Sequence, residues 1–99
     1  DSSLKENIVD ANSQWNDIKN IKIRNYNFKA STGYGTHKQI GVVAQELETV
    51  CPKLVDTGED NIKTVASSIL YMKAVKALQE AMAKIETLET KVAALEAAG

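Results

Sequence analysis

The residues whose types could do covalent chemistry include Ser2, Ser3 and Lys5 in the first five positions, the single His37 and the single Cys51. A seryl hydroxyl is a poor nucleophile until a base removes its proton. A lysine amine serves as that base only when neutral, and its ordinary pKa of about 10.4 keeps it charged. Bringing it towards ~7–8 disfavours the charged form by about 4 kcal/mol, which takes desolvation. Leu4 and Ile8 are apolar neighbours from which a dry surrounding for Lys5 can begin. On residue type alone, however, Lys5 is a solvated lysine and Ser3 a helix cap. His37, the single histidine, reads either as a strand-edge residue or as a base near a site. Cys51, the single cysteine, reads as a small buried apolar residue. One cysteine allows no internal disulfide and no cysteine zinc site, and one histidine allows no histidine cluster. No metal and no cofactor are expected.

The elements that must position these residues are constrained by composition. With 12 Lys+Arg against 13 Asp+Glu, the net charge is −1. That excludes a generic nucleic-acid or anionic-membrane binder, because both need a concentrated positive field. No apolar run approaches the ~18 residues that span a bilayer, and no secretory pattern opens the sequence. Apolar residues make up 43% of the chain but aromatics only 5%, so few large side chains exist to build a core. Such a chain needs help from partners. An opening at Asp1 reads as a fragment or a processed product.

The chain divides into two unlike parts. Residues 1–63 are mixed, and residues 64–99 form an oligomerisation helix, the whole amounting to one domain. In the first part, Ser3 to Glu6 has the form of a capping box, with Leu4 and Ile8 on one face of a helical turn. Asn12 or Ser13 caps a short helix through Lys19, with Trp15 and Ile18 on one side. Ile21 to Lys29 is strand-like, Ile21 and Ile23 pointing one way and Tyr26 and Phe28 the other. Ser31 to Thr36 supplies a turn, and His37 to Ala44 returns as an antiparallel strand. Gln45 to Val50 suits a short helix that Pro52 ends. Thr57 to Asp60 is a further turn, and Thr64 caps the last helix. Trp15, Tyr26 and Phe28 are the expected small core.

From position 64 to 98 there is neither Gly nor Pro, and Ala, Glu, Lys and Leu dominate. Leu78, Ile85 and Val92 fall at one heptad position, and Ala81, Leu88 and Leu95 at the other. The first part is too small to bury this stripe, which favours a coiled coil over a helix packed on its own domain. Lys84 and Lys91 precede Ile85 and Val92, while Glu89 and Glu96 follow Leu88 and Leu95. Parallel pairing sets Lys84 against Glu89 of a neighbour and Lys91 against Glu96; antiparallel pairing sets like charges together. The pattern therefore predicts a parallel assembly of identical chains.

Two stretches carry a family resemblance. Asp1-Ser2-Ser3-Leu4-Lys5-Glu6-Asn7-Ile8 resembles the start of the self-cleaving intramolecular chaperone domains at the C-terminal ends of phage tail spikes, tail fibres and neck appendages. Ile40-Gly41-Val42-Val43-Ala44-Gln45-Glu46-Leu47, with Cys51-Pro52 and Leu54-Val55 downstream, resembles that family's Gly-hydrophobic-hydrophobic-Ala-Gln-Glu block. The family's long C-terminal helix follows in the expected place.

The resemblance implies a homotrimer that aligns the β-structured stalk of its own precursor fibre and then releases itself through a Ser–Lys dyad. The family's lysine falls on Lys5. Its serine falls on the residue immediately before Asp1, so the cleavage site is the bond before Asp1. Gln45 and Glu46 match the family block and are expected either to support that site or to fix the turn into the short helix. His37 is a further supporting candidate. The hairpin tip at Gly33–Gly35 is a candidate grip on the stalk. The setting implied is the cytoplasm of a phage's bacterial host, with the domain shed from the mature virion, and no nucleic acid or membrane partner. The alternative is a purely structural coiled-coil trimerisation or adaptor module without proteolysis. The expected fold is α+β: short helices and a small β-hairpin, then a long C-terminal helix in a parallel trimeric coiled coil.

Overall fold

A computed structural model describes residues 1–99. It shows the α+β class expected, with short helices, small antiparallel hairpins and one long C-terminal helix. A 3-10 turn at Ser2–Leu4 opens the chain, followed by α1 (Trp15–Asn20) and β1 (Arg24–Tyr26). Next come β2 (Gln39–Gly41), α2 (Ala44–Val50), β3 (Val55–Thr57) and β4 (Lys63–Val65). Helix α3 (Ser67–Ala98) completes the chain with 32 residues.

Strands β1 and β2 pair antiparallel with Arg24 opposite Gly41 and Tyr26 opposite Gln39. Their connection turns through Gly33, whose φ of 78° suits a residue without a Cβ. Asn27 donates across the loop to the Thr36 carbonyl at 2.6 Å. The second hairpin joins β3 and β4, with Val55 opposite Val65 and Thr57 opposite Lys63. Asn61, at φ 62°, and the Asp60 carboxylate, which accepts from the Ile62 N–H at 3.0 Å, shape its turn.

Two-stranded hairpins are marginal alone and need a helix to pack on. Helix α2 supplies that support. Leu47 is only 1% exposed and centres a core with Ile21, Cys51, Leu54 and Val55. Ile18 of α1, Val42, Val65 and Leu70 of α3 close around it. Lys63 ties β4 to α2 by donating to Glu48 at 3.1 Å.

Several local expectations are corrected. Ser3 and Glu6 form no capping box: the Asp1 carboxylate accepts from the Ser3 N–H at 2.9 Å, and Lys5 is already extended. Leu4 and Ile8 consequently share no helix face, and both are exposed. The strand expected over Ile21 to Lys29 shrinks to three residues, because Ile21 closes α1 and turns into the core. Thr64 lies in β4 opposite Asp56 rather than capping α3, since two β-branched residues, Thr64 and Val65, extend the ladder. Helix α3 starts at Ser67, and the Ala66 N–H donates to the Leu54 carbonyl at 2.8 Å. Trp15 and Tyr26 are half-buried and Phe28 is exposed, all outside the fully buried core.

Replacing Leu47 by Ala is expected to destabilise the chain by about 2–4 kcal/mol, because the cavity sits where both hairpins meet α2. Denaturant titration at fixed protein concentration measures this. Ile40→Ala, at a position 74% exposed, serves as the near-neutral comparison.

Candidate functional site

The N-terminal arm is built with few constraints. Residues 1–13 are all exposed, and beyond the opening turn they form no regular structure. Asn7 takes a left-handed backbone, with φ 54°. Lys5 lies in solvent, and its amine makes no hydrogen bond or ion pair within the chain. The dry surrounding that a neutral lysine requires is therefore not formed by a single chain.

The other expected site residues do not gather around Lys5 through any bond. Glu46 lies on α2 and accepts a bidentate pair from Arg24 of β1, at 3.0 Å to Nε and 2.7 Å to Nη2. The Arg24 guanidinium, foremost through these hydrogen bonds, holds the Glu46 carboxyl below its usual range. Glu46 thus ties the first hairpin to α2. Gln45, next to it, is exposed. His37 is exposed in the hairpin connection, with its Nε2 at 2.7 Å from the Gln39 amide nitrogen. Beside it, the hairpin carries an aromatic row, Tyr26, Phe28 and Tyr34, whose neighbouring rings stack edge to face at 5.4 and 4.9 Å. Cys51 is buried, and burial pushes its thiol up, with the Asp17 charge adding to the effect. It is therefore poorly suited to act as a thiolate.

Helix α3 presents two working faces. Lys73, Ala77, Glu80 and Lys84 recur at helical spacing and face α1. Glu80 accepts from the Ser13 hydroxyl at 2.5 Å and from the Gln14 N–H at 2.6 Å. Lys73 donates to Asp17 at 3.0 Å and to the Gln14 side-chain carbonyl. Lys84 rests over the Trp15 ring, 3.8 Å from its centroid, a cation–π contact. Ala77, small enough to let α1 approach, is buried beneath them. Sequence reasoning missed this clasp, although the i, i+4, i+7, i+11 recurrence was available to find it.

The second face is the heptad stripe, about 80° further round the axis at 3.6 residues per turn. Leu78, Ile85, Leu88, Val92 and Leu95 are exposed, and Ala81 is half-buried at the edge of α1. Every residue from 82 onward is exposed, Lys84 included despite its contact with Trp15, so α3 does not lay this stripe on its own domain. Lys84, which the charge pattern assigns to a neighbour's Glu89, is engaged with Trp15 in the single chain; Lys91, Glu89 and Glu96 make no ion pair. No helix is long and apolar enough to cross a membrane.

Three carboxylates titrate below their ordinary values. Asp17 is lowered first by the hydrogen bond from Lys73, Glu46 by that from Arg24, and Glu80 by the Ser13 hydroxyl and then the Gln14 N–H. Lys76 and Lys84 add favourable charge around Glu80. A lowered folded-state pKa contributes stability that is present above the unfolded value and is lost as pH falls through the folded one. Stability is therefore expected to hold from neutral pH down to about 4.5 and to decline below it. Denaturation midpoints between pH 7 and 3, followed by emission of the single tryptophan, check this; a midpoint that rises on acidification contradicts it.

A peptidase family described as the chaperone of endosialidase has a model that matches residues 1–56. The match takes in the arm, α1, the first hairpin and α2, and it ends within β3.

Proposed function

The chain belongs to the chaperone-of-endosialidase family, whose members combine an intramolecular chaperone role with self-cleavage, and from that premise we propose that it trimerises its precursor fibre in parallel, aligns the β-structured stalk, and then cuts itself free before Asp1. The observation that carries this reading is the uncovered stripe of Leu78, Ile85, Leu88, Val92 and Leu95. Apolar surface in regular three-four spacing on a rod is stabilised by like rods. Lys91 and Glu96 are unpaired within the chain and set the parallel orientation between neighbours; each exposed pair contributes only ~0.2–1 kcal/mol, so they select direction more than strength.

Labour divides between a head, through Ala66, and the rod from Ser67. In the head, Lys5 acts as general base towards a serine immediately before Asp1. The neutral amine takes the hydroxyl proton, the oxygen adds to a carbonyl carbon, and the tetrahedral alkoxide collapses as the Asp1 nitrogen leaves with the proton returned by the Lys5 ammonium. The ester then hydrolyses. Attack by that serine on its own carbonyl needs a four-membered ring, so the attack comes from a neighbouring chain or proceeds through water. Assembly is the switch: an amine solvated in the single chain becomes a base once neighbouring chains and stalk remove water from it. The aromatic row and the Gly33–Gly35 tip of the first hairpin grip the stalk, and Glu46, through Arg24, holds that hairpin's base. The reaction belongs to fibre assembly in the cytoplasm of the phage's host, and the domain is shed from the finished particle.

One observation favours a purely structural trimerisation module instead, namely the unbonded, exposed Lys5. A longer precursor carrying stalk residues and a serine before Asp1 separates the two. Lys5→Ala is expected to slow cleavage at least ~100-fold while leaving the trimer intact. Leu88→Asp is expected to give monomers that stay uncut. Gel analysis of cleavage together with light-scattering mass reads both; equal cleavage by the monomeric variant overturns the switch, and equal cleavage by Lys5→Ala overturns the dyad.

A further inference from the structure

The arm that carries Lys5 first meets the rod at Ser13. From the N-terminus onward, Ser13 is the first residue to bond with a distant part of the chain, and its partner is Glu80. The bonds made before it are local: Asp1 and Ser2 accept from Ser3, Leu4 and Lys5, and the Asn12 carbonyl accepts from Gln14 at 3.1 Å. Glu80 uses both carboxylate oxygens, one for the Ser13 hydroxyl and one for the Gln14 N–H. Gln14 is the residue before the first turn of α1, and no side chain of α1's own provides its cap. Glu80 therefore receives an N–H at the start of α1, where negative charge is favoured, and holds the end of the arm against α3.

The position of Glu80 along the rod gives this contact its meaning. It lies between Leu78 and Ala81, the first two residues of the heptad stripe. Neighbouring chains that zip along the stripe set the axis and rotation of α3 at this level. The contact hands that setting to the arm, within two residues of the stripe's start and at its flank rather than within it.

We infer that Glu80 is a positioning residue for self-cleavage: it anchors the Lys5 arm to the assembling rod, so that zipping of the rods delivers the arm to the cleavage point. The inference rests on the reading under Proposed function. Glu80 takes no proton and touches no reacting atom. Its effect is to fix where the arm leaves the rod: it holds the Ser13 hydroxyl and the Gln14 N–H together on α3, while Lys73 holds the Gln14 and Asp17 side chains behind them.

The test uses the longer precursor with the serine before Asp1. Glu80→Ala is expected to slow cleavage at least ~10-fold with the oligomer mass unchanged, and to red-shift the emission of Trp15 as the end of α1 loosens from Lys84. Glu80→Gln keeps an oxygen for the Gln14 N–H and an amide for the Ser13 hydroxyl, so it is expected to restore both rate and emission to near the parent's. Ser13→Ala, remote from the stripe, is expected to slow cleavage several-fold, and it decides the matter if Glu80→Ala fails to assemble. Cleavage at the parental rate in an assembled Glu80→Ala, or in Ser13→Ala where Glu80→Ala does not assemble, overturns the inference while leaving the proposed function standing. A parent precursor that assembles but is never cut overturns the proposed function, and this inference falls with it.

Discussion

A helix of 32 residues carries more apolar surface than the small head of this chain can cover. That mismatch governs the rest of the structure. The head buries five residues, the cluster that Leu47 centres, and the sixth buried residue of the chain, Ala77, lies on α3 where α1 packs. The head spends two short helices and two three-residue-stranded hairpins on that cluster, and its reach along α3 ends near Ala81. Beyond that point the rod is bare over roughly four and a half turns, at 3.6 residues per turn. The overall shape, 64 × 40 × 23 Å, is that of a knob on a shaft. Water meets a patterned apolar strip there, and self-association of identical strips removes it most directly.

The head is joined to the shaft by polar contacts as much as by packing. Helix α1 has six residues and no fully buried side chain, which is too little to hold position by burial. It is held by Lys73, Glu80 and Lys84 reaching from one strip of α3, with Ala77 providing the close approach. This strip lies beside the heptad stripe instead of on it, so the contacts that hold α1 leave Ile85, Leu88, Val92 and Leu95 exposed. The two strips meet at Ala81, half-buried at the edge of α1, and at Lys84, which rests on Trp15. The first hairpin is secured in the same manner, by Arg24 on Glu46.

Much of this was legible from residue order. The rod, its stripe, the Gln45–Val50 helix ended by Pro52, and the first hairpin all rest on periodicity or turn chemistry, which are local signals. The failures share a cause. Ser3 and Glu6 satisfy the spacing of a capping box, yet Asp1 competes for the same N–H and wins it. Ile21 alternates correctly for a strand, but the core draws it to the end of α1. Thr64 suits a helix cap, while its pairing opposite Asp56 is set by the turn between Gly58 and Ile62. Each depends on a competitor elsewhere in the chain, and periodicity is silent about competitors. The same holds for the site: the family motif singles out Lys5, whereas the residues that tether its arm, Ser13 and Glu80, are 67 positions apart and belong to no motif.

The junction at Ala66 has a mechanical consequence. Strand β4 ends at Val65 and α3 begins at Ser67, with the Ala66 amide bonded to the Leu54 carbonyl between them. There is no flexible linker in which a rotation of the shaft could dissipate. When parallel helices wind into a left-handed supercoil, each turns slightly about its own axis so that its seam faces the others. In the parallel assembly proposed above, a shaft rooted in this way would act as a crank, passing torsion taken up along the winding helices directly into β4.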